Sequence, residues 1–340
     1  MIKRILSLCT TLILLFFLFG CQKDSFVIGI LIYDENDTYV GELKDLLIQS
    51  LPQDVDYRIA YASRSQYNQN QQFLAFIDEG IDLFIINLVD RLAAATIVEK
   101  AATLSLPIIF INREPIEDAM KNYDRAFYVG ADPEQQGEEQ ARLVSKIFGP
   151  PDALNPQFDK NGDGQIQMII LKGEVGHQDA EQRTSKLRDW LNEHQYPYEL
   201  FETIVADWDR ETAKEWMKRL HQNYGDQIEL IISNNDDMAL GAIDFYLEQG
   251  IFQRYPDATV FQQPIVILGV DGTQKGITAI NEGLLAGTVK NDAKIQSEAI
   301  IELIGHIRSG SPLTIPLENG QYCYVPGYQI IHPAFSEHPH

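Results

Sequence analysis

Cysteine is scarce in this sequence: three among 340 residues. Two of them, Cys9 and Cys21, lie at the extreme N-terminus, leaving Cys323 alone, so no disulfide framework holds the fold. Positive charge is also short. There are 27 Lys and Arg against 49 Asp and Glu, a formal net charge of −22. Sequence-independent nucleic-acid binding needs a basic face, so that class is excluded; the acidity favours solubility and identifies no ligand. Long hydrophobic runs are missing beyond the N-terminus, where one apolar stretch of about 16 residues falls short of the roughly 20 of a spanning helix. With 45% hydrophobic and 22% charged residues the chain is globular, and 340 residues suffice for two domains with separate cores.

The N-terminus, MIKRILSLCTTLILLFFLFGC, places Lys3 and Arg4 before the apolar stretch and a small residue before Cys21, the order of a bacterial export signal. The LFGC ending resembles a lipobox, with Phe19 an unusual residue within it. Cys21 is then the expected lipidation site and first mature residue, following a signal peptide over 1–20. An uncleaved anchor helix is the alternative. Both readings put the remaining chain outside the cytoplasmic membrane.

Beyond the signal, FVIGILIY, YRIAYAS, IDLFIINLV, LPIIFIN and AFYVGAD read as strands separated by amphipathic helical stretches. A second series begins at QIQMIILKG and continues through YELFETIV, IELIISNN, IVILGVD and LAGTVKN. Near-continuous apolar strands alternating with helices imply parallel sheets covered on both faces. The expected fold is α/β, with two doubly wound domains whose ligands bind at the carboxyl ends of the strands. Those ends carry Asp37, Asn87, Asn112, Asn235, Asp271 and Asn291. Each alone reads equally as a helix cap or turn residue, but together they form a polar row. GEVGHQDAEQR adds His177, Asp179 and Arg183 at a helix start, the last two on one face as a surface ion pair or a binding group. Tyr39 and Trp208 supply aromatic faces near comparable strand ends, or ordinary packing.

FDKNGDGQIQM opens like a calcium loop. Asp159, Asn161 and Asp163 alternate, Gly164 sits where a sharp turn is needed, and Gln165 and Gln167 continue the spacing. The twelfth position is Ile170, and a strand rather than a helix follows. A closing carboxylate must therefore come from elsewhere in the chain.

KNGDGQIQMIILKGEVGHQDAEQRT, INLVDRLAA, FINREP, YVGAD, ISNNDDMALGA, LGVDG and LAGTVKND, in this order over nearly all of the mature chain, resemble the glucose/galactose-binding proteins of bacterial sugar ABC transporters. The resemblance implies a periplasmic-binding-protein type I fold: two Rossmann-like domains joined by a three-segment hinge. It divides the chain into 21–131 plus about 294–318, and 132–293 plus about 319–336, the latter domain carrying the calcium loop. It implies a structural calcium ion held by Asp159, Asn161, Asp163, Gln165 through its carbonyl, Gln167, and a bidentate Glu229. It implies sugar contacts by Asp37, Asn87, His177, Asp179, Arg183, Asn235, Asp271 and Asn291, with Tyr39 and Trp208 sandwiching the pyranose. The chemistry fits, because hydroxyl edges need charged or amide partners and C–H faces pack on aromatic rings.

Three departures accompany the resemblance. Tyr39 stands where the family has phenylalanine, Asn36 where it has an acidic residue, and FQRYPDATVFQQP is longer than usual and expected to form a surface loop. The function implied is an extracytoplasmic, lipid-anchored, monomeric receptor. It would bind D-glucose or D-galactose and deliver it to an ABC permease, with no catalysis and no nucleic-acid partner. An alternative is a sensor presenting sugar to a chemoreceptor or membrane kinase. A glycoside-acting enzyme would need an acid/nucleophile pair for which no sequence signal exists. A sugar-responsive repressor would need a DNA-binding headpiece.

Overall fold

The computed structural model describes residues 25–256 and 259–336. Cys21 and the expected signal peptide lie outside them. Among the described residues no helix is long and apolar enough to cross a membrane.

Two six-stranded sheets organise the chain. The first contains β1 (Phe26–Ile32), β2 (Val55–Tyr61), β3 (Leu83–Ile86), β4 (Ile108–Ile111), β5 (Ala126–Ala131) and β11 (Tyr322–Val325), in the order β11-β5-β4-β3-β1-β2. The second contains β6 (Ile166–Lys172), β7 (Tyr198–Val205), β8 (Leu230–Ser233), β9 (Val266–Asp271), β10 (Gly287–Lys290) and β12 (Tyr328–Ile331), in the order β12-β10-β9-β8-β6-β7. All pairings in the first sheet are parallel; in the second only β10 with β12 is antiparallel. The central strands are buried on both faces, as LFII in β3 and IIFI in β4 illustrate, because helices cover both sides. Each sheet separates two apolar clusters, giving each lobe its own core. In both lobes the strand order reverses beside the first strand, which opens a crevice at the carboxyl ends of the strands.

The chain crosses between lobes three times. The first crossing follows β5 at Asp132, which caps helix Pro133–Phe148 through its bonds from the Glu134 and Gln135 amides. The second follows β10, before helix Ala293–Ser309 capped by Asp292. The third corrects the expected boundary near residue 318. β11 pairs with β5, so the chain stays in the first lobe through Val325 and leaves at Pro326–Gly327. The crossings are tied together. Gln135 Nε2 donates to the Gly327 carbonyl at 3.0 Å, its Oε1 accepts the Gly327 amide at 2.9 Å, and the Tyr328 hydroxyl reaches Asp292 at 3.1 Å. Cys323 is a packed, 3% exposed residue of β11.

On either side of residues 257–258, which lie outside the described residues, the segment expected to form a surface loop is partly built into the core. Phe252 and Phe261 are buried, Phe261 packs on Phe158 and Phe335, and Gln263 Nε2 reaches the Gly283 carbonyl.

Candidate functional site

Between the lobes lies a narrow pocket with a cavity volume of about 30 Å³. The first lobe supplies Tyr33, Asp37, Tyr39, Asn112 and Arg113; the second supplies His177, Asp179, Arg183, Trp208, Asn235 and Asp271. Eight of the ten residues expected to contact a sugar therefore meet in one place.

On the first lobe, Asp37 caps helix Thr38–Ser50, accepting the Val40 amide at 2.8 Å, and accepts the Tyr33 hydroxyl at 2.6 Å. It is a cap and a pocket wall at once. Tyr39, in the first turn of that helix, is buried, and its hydroxyl has no hydrogen-bond partner. Arg113 stacks over the Tyr33 ring with its guanidinium carbon 4.0 Å from the centroid and donates to the Val89 carbonyl at 2.6 Å.

The second lobe is built around Arg183. Its Nε donates to Gln136 Oε1 at 2.8 Å, Nη1 to the Asn234 carbonyl at 2.8 Å, and Nη2 to Asp179 Oδ2 at 3.3 Å. A guanidinium fork fixed on three sides presents charge in one orientation. Gly137 permits this position, since a Cβ there would lie 2.6 Å from the Arg183 carbonyl oxygen. Burial raises the Asp179 carboxyl above its usual range, against the opposing pull of Arg183 and Arg113. His177 caps helix Gln178–Glu193 by accepting the Asp179 amide on Nδ1 at 3.2 Å, which assigns its remaining proton to Nε2. Burial, then the nearby arginines, hold its basicity well below the ordinary value, so the ring is neutral and offers a donor.

Trp208 is seated by unusual backbone. Asp207 and Trp208 both have positive φ, 52° and 64°. The ring lies where a Cβ at position 173 would come within 2.2 Å of it, so only glycine fits there. It meets His177 edge-on at 5.0 Å and leaves its indole N–H buried and unpartnered. Asn235 caps helix Asp236–Glu248 and ties to the Trp208 carbonyl at 3.2 Å. Asp271, at φ 108°, is buried, and burial pushes its carboxyl well above the usual carboxylate range.

Two of the expected contacts do not line this pocket. Asn87 is fully buried at the end of β3, between the ends of β1 and β4, and donates to the Ile111 carbonyl and to Asn112 Oδ1. Asn112, at φ 60°, lines the pocket in its place. Asn291 is 3% exposed, accepts Gln296 Nε2 at 2.6 Å, and does not line the pocket. Tyr33 and Arg113 are wall residues that strand-end reasoning passed over, although Arg113 directly follows Asn112. Asn36, where the family has an acidic residue, hydrogen-bonds Asp34 through its amide and side chain, outside the pocket walls.

The lobes touch across the cleft. Arg113 pairs with Glu174 at 3.0 Å, Gln178 Nε2 reaches Glu114 at 3.2 Å, and the Gln274 amide donates to Glu42 at 3.0 Å.

A second polar cluster lies far from the cleft chemistry, in the 159–167 loop. Asp159 Oδ2 accepts the Gly164 amide, Asp163 Oδ1 the Gln165 amide, and Asn161 Oδ1 the Asp163 amide. Glu229, 2% exposed on the approach to β8, accepts the Lys160 and Gln167 amides. Asp159 Oδ1 and Gln167 Oε1 are buried acceptors without partners. No group of three or more His, Cys, Asp or Glu among the described residues forms a metal cage by itself, so a cation here would depend on amide and carbonyl oxygens as well.

Two matched α/β lobes enclosing a charged, aromatic pocket and tied by three crossings define a bilobal receptor for a small polar molecule. Residues 28–311 match the family model described as "Periplasmic binding protein domain", and the chain belongs to that family. It is 33% identical over 290 residues to the D-galactose/methyl-galactoside binding periplasmic protein of Haemophilus influenzae, covering 84% of this chain and 83% of the other. It is 23% identical to the ribose import binding protein of Bacillus subtilis, over 87% and 88% of the two chains. An ABC transporter solute binding protein of Bacillus halodurans, solved with bound myo-inositol, superposes with a TM-score of 0.73 at 25% identity, over 93% of this chain and 98% of that one. The protein is thus an extracytoplasmic solute-binding protein and not an enzyme.

Proposed function

We propose that the protein is the receptor of a sugar ABC transporter, binding D-galactose or D-glucose between its lobes and delivering it to a permease. The observation that carries this reading is the pocket itself. Tyr39 and Trp208 contribute aromatic surface from opposite lobes, while Asp37, Asp179, Asp271, Arg183, Asn112 and His177 supply acceptors and donors suited to a polyhydroxylated ligand. The galactose-binding relative from Haemophilus supports a hexose, and ligands of other relatives and neighbours, among them ribose and myo-inositol, mark the alternatives. Contacts from both lobes give the sugar a differential preference for the closed form, the thermodynamic requirement for ligand-driven closure.

Titration calorimetry of ligand-stripped protein against D-galactose, D-glucose and D-ribose tests this. Binding of one hexose per chain with no ribose response is expected; ribose or inositol binding without hexose binding would replace the hexose reading.

The 159–167 loop and Glu229 would hold calcium. Every candidate donor is an oxygen, and two of the acceptors are buried without partners, which suits a hard cation. The ion would brace the second lobe. Cys21 would carry the lipid that keeps the receptor beside its permease. Presentation of the bound sugar to a chemoreceptor or membrane kinase is the second use compatible with the same site.

A further inference from the structure

The Tyr39 hydroxyl is buried, lines the pocket and donates to nothing. Such a group is costly to leave unpaired. Across the cleft stands Asp271, 5% exposed and also a pocket wall, whose carboxylate takes no hydrogen bond from any described residue. Asp271 is the strongest of the charges acting on the Tyr39 hydroxyl. The carboxylate of Tyr39's own lobe, Asp37, is already engaged by the Tyr33 hydroxyl and the Val40 amide, so it is not what Tyr39 serves. One lobe therefore offers an unmet donor and the other an unmet acceptor, on walls of the same small pocket. A sugar hydroxyl can complete both bonds, accepting from a phenol while donating to a carboxylate.

We propose that the Tyr39 hydroxyl and the Asp271 carboxylate clamp a single hydroxyl of the bound sugar between the two lobes, which makes Tyr39 a specificity-determining residue beyond its aromatic face. The clamp rests on the hexose reading above and deepens it. Because its halves belong to different lobes, it forms only when the cleft is closed, so the hydroxyl it holds contributes to closure as well as to affinity. A phenylalanine at position 39 would keep the ring and lose the clamp.

The test is calorimetry of wild type and Tyr39→Phe with the parent hexose and each of its single-deoxy analogues. Wild type is expected to lose on the order of tenfold or more in affinity for one analogue in particular. Tyr39→Phe is expected to bind the parent on the order of tenfold more weakly, and to discriminate less against that same analogue. Equal affinity of the two proteins for the parent, or a uniform loss across all analogues, overturns the clamp while leaving the hexose reading intact. Silence of folded wild type toward the whole set overturns both.

Discussion

The two lobes have the same topology and treat the ligand differently. In the second lobe most pocket groups are fixed by their own domain: Arg183 by three partners, His177 and Asn235 by capping their helices, the Trp208 ring by its backbone and by Gly173, while the Trp208 indole N–H and the Asp271 carboxylate stay unpartnered. In the first lobe Asp37 and Asn112 are similarly held, but Tyr39 carries an unmet hydroxyl, and Arg113 takes its ion-pair partner, Glu174, from the other lobe. The second lobe is a preorganised half-site, and the first lobe completes its bonding when the cleft shuts. Duplicating a fold thus fixes where polar groups emerge, and local capping decides which of them are rigid before ligand arrives.

The largest expected effect strikes the rigid half. Arg183→Ala leaves the Asn234 carbonyl, Gln136 and buried Asp179 without their donor, and should cost about 3–5 kcal/mol of sugar affinity by calorimetry. Arg183→Lys should recover little, because an ammonium lacks the fork. A loss of similar size from Arg113→Ala would erase the proposed asymmetry between lobes.

The proposed calcium site sharpens the contrast within one lobe. Chelation, or Glu229→Gln, should lower the melting temperature by several degrees, reflecting about 2–3 kcal/mol of lost ion-binding stabilisation. The remaining folded protein should still bind sugar, since the loop forms no part of the pocket wall.

Asp236 offers a pH test of the second lobe's core. It is wholly buried at the head of helix Asp236–Glu248, and burial raises its carboxyl from 3.8 to about 7, although Thr288 and Thr273 donate to it. The folded state holds this proton more tightly than the unfolded state. The resulting contribution is fully present below about pH 3.8 and is lost as pH rises through about 7. Denaturant titrations of wild type and Asp236→Asn should show a difference that changes across that window by a few kcal/mol at most, with the variant flatter. A constant difference would contradict the assignment.

The smallest effects distinguish the asparagines. Asn112→Ala should weaken binding by about 1 kcal/mol through a pocket wall, whereas Asn291→Ala should lower thermal stability more than affinity.

The fold was legible because β1, β3, β4 and their counterparts are short apolar runs between amphipathic helices, a pattern that only a covered parallel sheet satisfies. The third crossing was not. YCYVPGYQII reads as one strand-rich stretch, yet Pro326–Gly327 divides it between lobes, and nothing in its periodicity says so. Most of the candidate site was visible as polar residues at strand ends. The choice between Asn87 and Asn112 depended on which side chain the neighbouring strands enclose. The one local signal was that Asn tolerates the left-handed backbone found at Asn112.

The most direct test of the account is a crystal structure of the ligand-stripped protein soaked or co-crystallised with D-galactose. The account predicts one hexose between the Tyr39 and Trp208 rings, its hydroxyls on Arg183, Asp179, His177 and Asp271. A hexose bound outside that pocket, or a pocket that stays empty while calorimetry reports binding, would contradict it.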